Sequence, residues 1–406
     1  SPYGMGWNTY WQGLQEGRSG VRRIETFDPA DVPSQVAGEI PDLDPIAIVG
    51  PKEARRLSRV LVIAVAAARE AAASAGLAIQ EWDPQEQEQV GVVVGCSTGG
   101  IEITEQQYHL YHSGKLSQCS PFAITSSMVG AVSSEIAIDL KCRGMSHVIS
   151  TGCTSATDAI GMAYQNVRYG RIRKVITGGA DAIITPGIIE SYAMMKCIST
   201  HFNDTPDRAS RPFNADRDGF VLGEGSWMFV LERLEDALER GATIYAELLG
   251  YGATCDAFHR VQIAPDGRES ARAMIEALKD SGLATDEIDY INLHGTSTQL
   301  NDRTETVAVK RAFNGRATSI RTSATKSCIG HPQGASGAAG LMATVCSVKE
   351  GYIHPTINYE VPDEECDLNI TPNVGVSRRV EAAVSNCIAF GSKNAALVVS
   401  ECHDSD

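Results

Sequence analysis

The stretch that decides the fold is residues 146–170, SHVISTGCTSATDAIGMAYQNVRYG, in which an apolar strand gives way to a helix. The run HVI favours a β-strand, and the STG that follows interrupts it. After Cys153 the apolar residues recur at the spacing of one helical face, and Gly170 is a natural residue at which to end the helix. The pattern therefore predicts that Cys153 lies at the N-terminus of a helix.

A cysteine in this position can be a nucleophile. Unpaired backbone N–H groups and the positive end of the helix dipole favour a thiolate, so we expect Cys153 to be more reactive than an ordinary cysteine. A buried structural cysteine is the other interpretation, because free Cys is among the most buried residue types. The rest of the chain has to decide between the two.

Composition excludes several classes of protein. The 406 residues with 43% apolar content and 38 glycines suit a compact α/β protein. The formal charge of -15 argues against nucleic-acid binding, which needs a basic surface. The 11 cysteines form no C-x-x-C pair, which favours a reducing cytoplasm over disulfides or a metal site. The longest apolar run, 60–68, is far shorter than the roughly 20 residues of a membrane span, so we expect no membrane association.

Strand and helix patterns alternate along the chain. Continuous apolar runs predict buried strands, and Ala-rich or amphipathic runs predict helices. We predict strands at 90–94, 174–181, 226–231, 243–251 and 290–293, helices at 53–75, 270–283 and 335–349, a further helix entered near Thr304, and a strand–loop–strand unit at 385–401. No linker of disordered composition interrupts them. The prediction is an α/β protein whose N-terminal half, 1–240, and C-terminal half, 241–406, share one core and form one catalytic unit.

Predicted strands end at residues that carry chemistry. Cys153 follows one strand, His294 follows the strand at 290–293, and Phe390 lies in the loop between the last two strands. A second histidine, His331, lies in a Gly-rich turn. Sites in α/β sheets form at the carboxyl ends of strands, and a thiol with two histidines suggests acyl transfer.

Five motifs occur in order: STGCTS around Cys153, RPFNADRDGFVLGEG at 211–225, HGTSTQLND at 294–302, TKSCIGHPQGASGAAG at 325–340 and AFGSKNA at 389–395. Together they resemble the β-ketoacyl-acyl carrier protein synthases, the elongating condensing enzymes of type II fatty-acid and polyketide synthesis. The resemblance covers essentially the whole chain. One HGTST match would be weak evidence, whereas five motifs in order are specific.

The resemblance implies a thiolase-like, five-layered αβαβα sandwich of two similar halves around two central helices. It implies decarboxylative Claisen condensation of a Cys-bound acyl chain with malonyl-acyl carrier protein. The substrates would be carried on phosphopantetheine of an acyl carrier protein, and no cofactor would be needed. It also implies a homodimer, or a heterodimer with a chain-length-factor-like subunit. The family opens with a buried strand, which we expect to precede the segment at 1–4.

The resemblance assigns five catalytic side chains. Cys153 would carry the acyl chain. His294 and His331 would donate hydrogen bonds from Nε2 to the thioester oxygen on which decarboxylation leaves negative charge. Lys326 would hold the environment of the second histidine and help to handle the carboxylate. Glu305 would belong to the supporting network, although an acid near the start of a helix also suits the helix dipole.

The resemblance also assigns binding roles. The backbone N–H groups of Cys153 and Phe390 would form an oxyanion hole, and the Phe390 ring would act as a gate between loading and condensation. Thr296 and Thr298 match positions that hydrogen-bond the phosphopantetheine arm. Thr98, in the Gly-rich turn, occupies a place that often lines the acyl pocket.

An acidic carrier protein would need a basic surface on this acidic chain. Four residues near the start of the predicted helix at 53–75 resemble the docking patch of the family: Lys52, Arg55, Arg56 and Arg59. A solvated helix face would produce the same pattern, so both interpretations stay open.

Several positions depart from the family pattern. The last motif usually reads G-F-G-G-T-N, whereas Ala389 and Ser392 replace two glycines here, which predicts a stiffer loop. Pro332-Gln333 and Thr98 are also uncommon at their positions. These changes favour a specialised type II polyketide, polyene or fatty-acid pathway, with housekeeping fatty-acid elongation as the alternative.

Other functions share part of the pattern. A non-catalytic chain-length-factor-like subunit would have the same fold but typically lacks the nucleophile, so the intact Cys153, His294 and His331 argue against it. A thiolase or chalcone-synthase-like enzyme pairs Cys with His and Cys or with His and Asn, whereas the motifs here favour two histidines. A thiol hydrolase would release free acid without a malonyl donor.

Overall fold

The computed structural model describes residues 1–402. The helices are α1 Trp7–Gln15, α2 Pro45–Glu53, α3 Arg59–Ser74, α4 Pro84–Gln87, α5 Ile101–His112, α6 Ala123–Ser127, α7 Ala131–Leu140, α8 Ser155–Arg168, α9 Pro186–Met194, α10 Leu234–Glu239, α11 Arg268–Ser281, α12 Gln299–Phe313, α13 Lys326–Ile329 and α14 Ser336–Glu350. The strands are β1 Arg22–Arg23, β2 Val36–Gly38, β3 Val90–Gly95, β4 Ser146–Ile149, β5 Lys174–Asp181, β6 Leu222–Gly223, β7 Gly225–Glu232, β8 Glu247–Cys255, β9 Tyr290–Asn292, β10 Arg321–Ser323, β11 Tyr352–Ile353, β12 Val376–Ser377, β13 Ala382–Ala389 and β14 Lys393–Ser400.

Two large sheets repeat one strand arrangement. The first has the order β4-β3-β5-β7, and the second has the order β10-β9-β13-β14-β8. In each sheet the first three strands are parallel and the fourth is antiparallel to the third. The connection from β4 to β5 runs through α8, and the connection from β10 to β13 runs through α14. The two halves are therefore similar, as predicted.

Helices complete the sandwich. α8 and α14 contact each other and lie between the sheets, because each of them also contacts strands of both. α3 and α7 cover the outer face of the first sheet, while α11 packs on the second sheet and on α12. The thiolase-like, five-layered αβαβα fold is thus confirmed. The division of the chain at residue 240 stays a prediction.

Small residues allow the two central helices to approach closely. A Cβ added at Gly337 of α14 would lie 1.9 Å from Oγ1 of Thr157 on α8. A Cβ at Gly95, the last residue of β3, would lie 2.3 Å from the backbone nitrogen of Ala156. Glycines therefore lie where helix α8 begins and where it meets α14.

Some predicted boundaries are wrong. The helix predicted at 53–75 begins only at Arg59, because the chain turns at 54–57 and Ser58 has an extended backbone. The strand predicted at 243–251 is β8, shifted towards the C-terminus by its pairing with β14, in which Cys255 faces Lys393. The helix placed near Thr304 is α12. Within residues 1–402 no helix is long and apolar enough to cross a membrane.

Candidate active site

Cys153 lies in the predicted strand–turn–helix unit. It follows β4 and precedes α8, and its side chain is buried. The turn depends on Gly152, whose φ of +70 is a conformation that L side chains rarely adopt. This turn directs the cysteine into the interior at the N-terminal end of α8.

The structure brings the two predicted histidines to this cysteine. Nε2 of His331 lies 3.2 Å from Sγ of Cys153, and the ring centroids of His331 and His294 are 5.4 Å apart. Both histidines are buried, as Cys153 is. His294 follows β9 and His331 follows α13, so strand and turn ends from both halves of the fold converge at the site.

The tautomer of His331 follows from its hydrogen bonds. The backbone N–H of Gln333 donates to Nδ1 of His331 at 3.2 Å, and Ser336 Oγ lies 2.8 Å from the same atom. Since a backbone N–H can only donate, Nδ1 is an acceptor and the neutral ring carries its hydrogen on Nε2. Burial, followed by the charge of Lys326, holds the pKa of His331 well below its usual range. His331 therefore presents an Nε2–H donor towards Cys153.

Lys326 contacts the first histidine rather than the second. Its Nζ donates to the backbone carbonyl of His294 at 2.7 Å. Burial lowers the pKa of Lys326. Burial also holds the pKa of His294 well below its usual range, and the charge of Lys326 adds to that effect. The expected link to the environment of His331 is electrostatic, whereas the hydrogen bond goes to His294.

Glu305 lies in α12, behind the His294 turn. Its carboxylate accepts hydrogen bonds from the backbone N–H groups of His294 at 2.7 Å and Gly295 at 2.8 Å, and from Nδ2 of Asn386 at 2.7 Å. Burial raises its pKa, while these hydrogen bonds lower it. Glu305 thus connects His294 to β13, an arrangement that matches a supporting network.

Burial outweighs the helix dipole at Cys153. Desolvation raises the pKa of the Cys153 thiol to about 11, although Lys326 and the backbone N–H of Phe390 act to lower it. Burial therefore favours the thiol, against the thiolate that the helix N-terminus favours. Sγ of Cys153 lies 3.6 Å from Oε1 of Gln333.

Phe390 lies in the loop between β13 and β14. Its backbone N–H donates a hydrogen bond to the sulfur of Cys153, and this contact lowers the pKa of the thiol. Its ring is half-buried, with its centroid 6.5 Å from that of Tyr192. The backbone of Phe390 therefore borders the thiol, and its ring lies beside Tyr192.

Ser392 fastens this loop to a neighbouring one. Its Oγ donates to the carbonyl of His259 at 2.9 Å and accepts from the N–H groups of Phe258 at 3.3 Å and His259 at 3.2 Å. The N–H of Gly391 also donates to the carbonyl of Arg260 at 3.0 Å. These contacts are consistent with the predicted stiffer loop.

The three predicted binding threonines lie at two places. Thr296 Oγ1 and Thr298 Oγ1 are 2.9 Å apart, and Thr298 caps α12 by accepting from the N–H of Asn301. Thr98 lies after β3, and its Oγ1 is buried without a hydrogen-bond partner among residues 1–402. Their substrate contacts stay a prediction.

The predicted docking patch loses Arg59. The Arg59 guanidinium binds the buried carboxylate of Glu224, with Nε 2.7 Å from Oε2, so this arginine serves the interior. Lys52 and Arg55 are exposed, and Arg56 is half-buried beside Glu53 and the ring of Phe122. The exposed part of the patch is thus smaller than predicted.

Sequence reasoning missed Asp181 and Cys387. Asp181 ends β5 and accepts from the N–H groups of Ser97 at 3.1 Å and Gly334 at 2.7 Å, and burial raises its pKa to about 6. Cys387 Sγ lies 3.4 Å from Nδ1 of His294. An acid that ends an otherwise apolar strand was a usable signal for Asp181, whereas nothing in the sequence distinguished Cys387.

Cys153 Sγ and a ring nitrogen of each histidine lie within 4.8 Å of one another, a geometry that could hold a metal ion. The charge of Lys326 acts on all three groups, since it lowers the pKa of the thiol and of both histidines. A second cation would be repelled there. The site chemistry therefore suits an anion better than a metal.

A thiolase-like sandwich with a buried cysteine between two histidine donors defines a class, the condensing acyltransferases. The chain belongs to the β-ketoacyl synthase family. The model of the beta-ketoacyl synthase N-terminal domain matches residues 1–237, and that of the C-terminal domain matches residues 245–360.

Similar proteins cover nearly the whole chain. The 3-oxoacyl-[acyl-carrier-protein] synthase 2 of Synechocystis is 43% identical over 98% of this chain and 94% of its own length. The tetracenomycin polyketide synthase ketoacyl synthase alpha subunit of Streptomyces glaucescens is 40% identical over 98% of this chain and 94% of its own length. The solved structure of the ishigamide ketosynthase/chain length factor is 34% identical, with a TM-score of 0.90 over 99% of this chain and 97% of that one.

Proposed function

We propose that this enzyme is a ketosynthase that condenses a Cys153-bound acyl chain with malonyl-acyl carrier protein to give a β-ketoacyl-acyl carrier protein. The observation that carries the proposal is the 3.2 Å contact between Cys153 Sγ and Nε2 of His331, in a buried site that also holds His294 and Lys326. The names of the relatives, a 3-oxoacyl-[acyl-carrier-protein] synthase and a polyketide ketoacyl synthase, support the same reaction.

The first half-reaction loads the acyl chain. Cys153 loses its proton and forms a bond from sulfur to the acyl carbon, and the carrier thiol leaves with a proton. The positive charge of Lys326 and the Nε2–H of His331 favour the thiolate that must form. Backbone N–H groups of Cys153 and Phe390 would bind the oxyanion of the tetrahedral intermediate.

The second half-reaction forms the carbon–carbon bond. Malonyl-carrier loses carbon dioxide, and the electron pair of the broken bond forms an enolate. Neutral His294 and His331 would stabilise its oxygen as Nε2–H donors. The enolate carbon then attacks the acyl thioester, and the bond between Cys153 and the acyl carbon breaks. Glu305 would hold the His294 turn in place.

We assign the partners from surface features. Lys52, Arg55 and Arg56 would receive the acidic carrier, and Thr296 with Thr298 would bind its phosphopantetheine arm. β4 is the outer strand of its sheet, with Ser146 and His147 exposed, so it is available to pair with a second subunit. That subunit would be an identical chain or a chain-length-factor-like one, the kind of pairing named for the ishigamide structure.

We place the enzyme in a specialised type II polyketide, polyene or fatty-acid pathway. Polar Gln333 lies beside the thiol, Thr98 carries a buried hydroxyl, and Ser392 restrains the Phe390 loop. Housekeeping elongation of saturated chains would favour an apolar lining instead. The cytoplasm, where no disulfides are needed, is the proposed location.

Intact-mass measurement tests the function. Wild-type protein incubated with acyl-carrier should gain the acyl mass and then, with malonyl-carrier, release a β-ketoacyl product. The Cys153→Ala variant should gain no mass, and a gain would refute the nucleophile. Free acid formed without a malonyl donor would indicate a hydrolase, and no acylation of the wild-type protein would favour a non-catalytic subunit.

A further inference from the structure

Gln333 occupies an unusual position beside the nucleophile. Its side chain is 3% exposed, and its φ of +42 lies in the left-handed region. Backbone strain of this kind tends to occur at active sites and ligand-binding positions. The fold holds this residue there through His331 Nδ1, which accepts its backbone N–H, and through Asp181, which accepts the N–H of Gly334.

The amide of Gln333 is half-satisfied. Oε1 lies 3.6 Å from Sγ of Cys153 and 3.4 Å from the hydroxyl of Tyr192. Nε2 is buried and has no hydrogen-bond partner among residues 1–402. Buried amide hydrogens without a partner are rare in folded proteins, because each costs free energy. This buried donor is therefore available to an acceptor on a bound ligand.

Two further polar side chains, Tyr192 and Thr98, belong to elements that pack near the Gln333 turn. The rings of Tyr192 and Phe220 pack edge to face, with centroids 5.1 Å apart. This packing orients the Tyr192 hydroxyl, which donates to Oε1 of Gln333. A Cβ at Gly334 would lie 2.5 Å from the backbone nitrogen of Ser97, so the turn that carries Thr98 packs directly against the Gln333 turn. Thr98 Oγ1 is the second buried atom here without a partner among the described residues.

Once Cys153 carries an acyl chain, the Gln333 amide can distinguish between acyl chains. In the acyl-enzyme the sulfur has no hydrogen, so Gln333 loses the thiol as a donor. A saturated chain would pass Gln333 and leave the Nε2 hydrogens unpaired. An acyl chain with an oxygen on its third carbon could pair with them, since that oxygen lies on the order of 4 Å from the sulfur by ordinary bond lengths. A site built for hydrogen bonding rejects the analogue that lacks the group.

We propose that Gln333, with Tyr192, selects acyl chains that carry a carbonyl or hydroxyl oxygen on the third carbon. The inference rests on the proposed ketosynthase function and names the substrate class of that same site. It makes Gln333 a specificity-determining residue that contacts the bound acyl chain, while the condensation chemistry stays with Cys153 and the two histidines.

Single-turnover acylation of Cys153 tests the proposal. Octanoyl, 3-hydroxyoctanoyl and 3-oxooctanoyl pantetheine thioesters are compared by intact mass. The wild-type protein should load at least one of the two oxygenated chains about tenfold or more faster than octanoyl, the order expected when buried polar groups are paired rather than left unpaired. Gln333→Leu should remove most of this preference by slowing the oxygenated chain, and Tyr192→Phe should reduce it.

Controls separate specificity from general damage. Gln333→Asn keeps an amide and tolerates the left-handed backbone, so it should retain part of the preference. Gln85→Leu, at an exposed glutamine of α4, should leave all rates unchanged. Thermal melting compares the folding of each variant.

The outcomes are distinct. Equal loading of the saturated and both oxygenated chains by the wild-type protein would overturn the inference and leave the function intact. A Gln333→Leu variant that loses all substrates equally would also overturn it, because the residue would then position Cys153 or His331 only. Absence of any acyl mass on the wild-type protein would overturn the proposed function and this inference with it.

Discussion

At the residue scale, burial has a larger effect on the pKa of the Cys153 thiol than the groups that favour the thiolate. The helix N-terminus, the N–H of Phe390 and the charge of Lys326 all favour the thiolate, yet desolvation raises the thiol pKa to about 11. The same burial keeps both histidines neutral, since it lowers the pKa of each. Burial therefore favours the thiol and two neutral imidazoles, and the thiolate has to form during the reaction.

This balance predicts a pH dependence. Because the folded pKa of Cys153 is about 11, its thiolate fraction, and hence its alkylation by iodoacetamide, should rise about tenfold per pH unit from pH 6.5 to 9. Peptide mapping by mass spectrometry measures Cys153 separately from Cys255, which is exposed. Lys326→Met should slow the reaction at every pH, since it removes a charge that lowers the pKa. A plateau below pH 8 would contradict the prediction.

At the element scale, the β13–β14 loop is held by side-chain contacts that a glycine could not make. Ser392, at φ +66, makes three hydrogen bonds to residues 258 and 259 through its Oγ. Glycine at this position would relax the backbone and remove all three. The loop would then move independently of its neighbour.

Ser392→Gly should therefore increase hydrogen–deuterium exchange in residues 256–264 and 389–394. The exchange rates should rise several-fold in these two segments, because their amides depend on the lost contacts. The rates in α8 should stay unchanged. Ser113→Gly, at an exposed position after α5, is the matched control. Unchanged exchange in both segments would show that Ser392 does not restrain the loop.

The packing of the central helices α8 and α14 against each other depends on Gly337, because the space at this position has no room for a side chain. A Cβ at Gly337 would lie 1.9 Å from Oγ1 and 2.7 Å from the backbone nitrogen of Thr157. Gly337→Ala should lower the free energy of unfolding by about 1–3 kcal/mol, the usual cost of overpacking, and displace α14 from α8. Urea unfolding measures the change. Gly130→Ala, with nothing within 4 Å, should be close to neutral, and equal stability of the two variants would refute the packing argument.

At the scale of the whole molecule, charge is unevenly placed. The chain carries a formal charge of -15, so an acidic partner would be repelled unless it met a local basic surface. Lys52 lies in the last turn of α2, and Arg55 and Arg56 lie between α2 and α3. Arg59 forms a salt bridge with Glu224. The proposed docking surface is therefore small and depends on few side chains.

Reversal of two of these charges should weaken binding of the carrier protein without changing the acylation of Cys153. Lys52→Glu with Arg55→Glu should raise KM for acyl-carrier about tenfold and leave loading from acyl-pantetheine unchanged, because the small thioester needs no protein contact. Lys279→Glu with Arg272→Glu makes the same charge change on α11 and serves as the control. Equal KM values for both double variants would assign docking to another surface.

Much of this protein was determined by local sequence. The strand–turn–helix at Cys153 follows from apolar spacing and from Gly152, which accepts a positive φ. The alternation of strands and helices predicted the α/β class, and five ordered motifs identified the family and the three residues that meet at the site. Local patterns suffice here because backbone preferences and the periodic burial of side chains act between near neighbours in the chain.

Tertiary structure decided what depends on distant neighbours. Burial favours the thiol form of Cys153, pairing with Glu224 ties Arg59 to a buried carboxylate, and packing leaves Nε2 of Gln333 without a partner among residues 1–402. Each outcome is a balance of desolvation against contacts from residues far along the chain. Solvent exposure and pairing of this kind belong to the packed molecule, because no residue carries them in its own sequence neighbourhood.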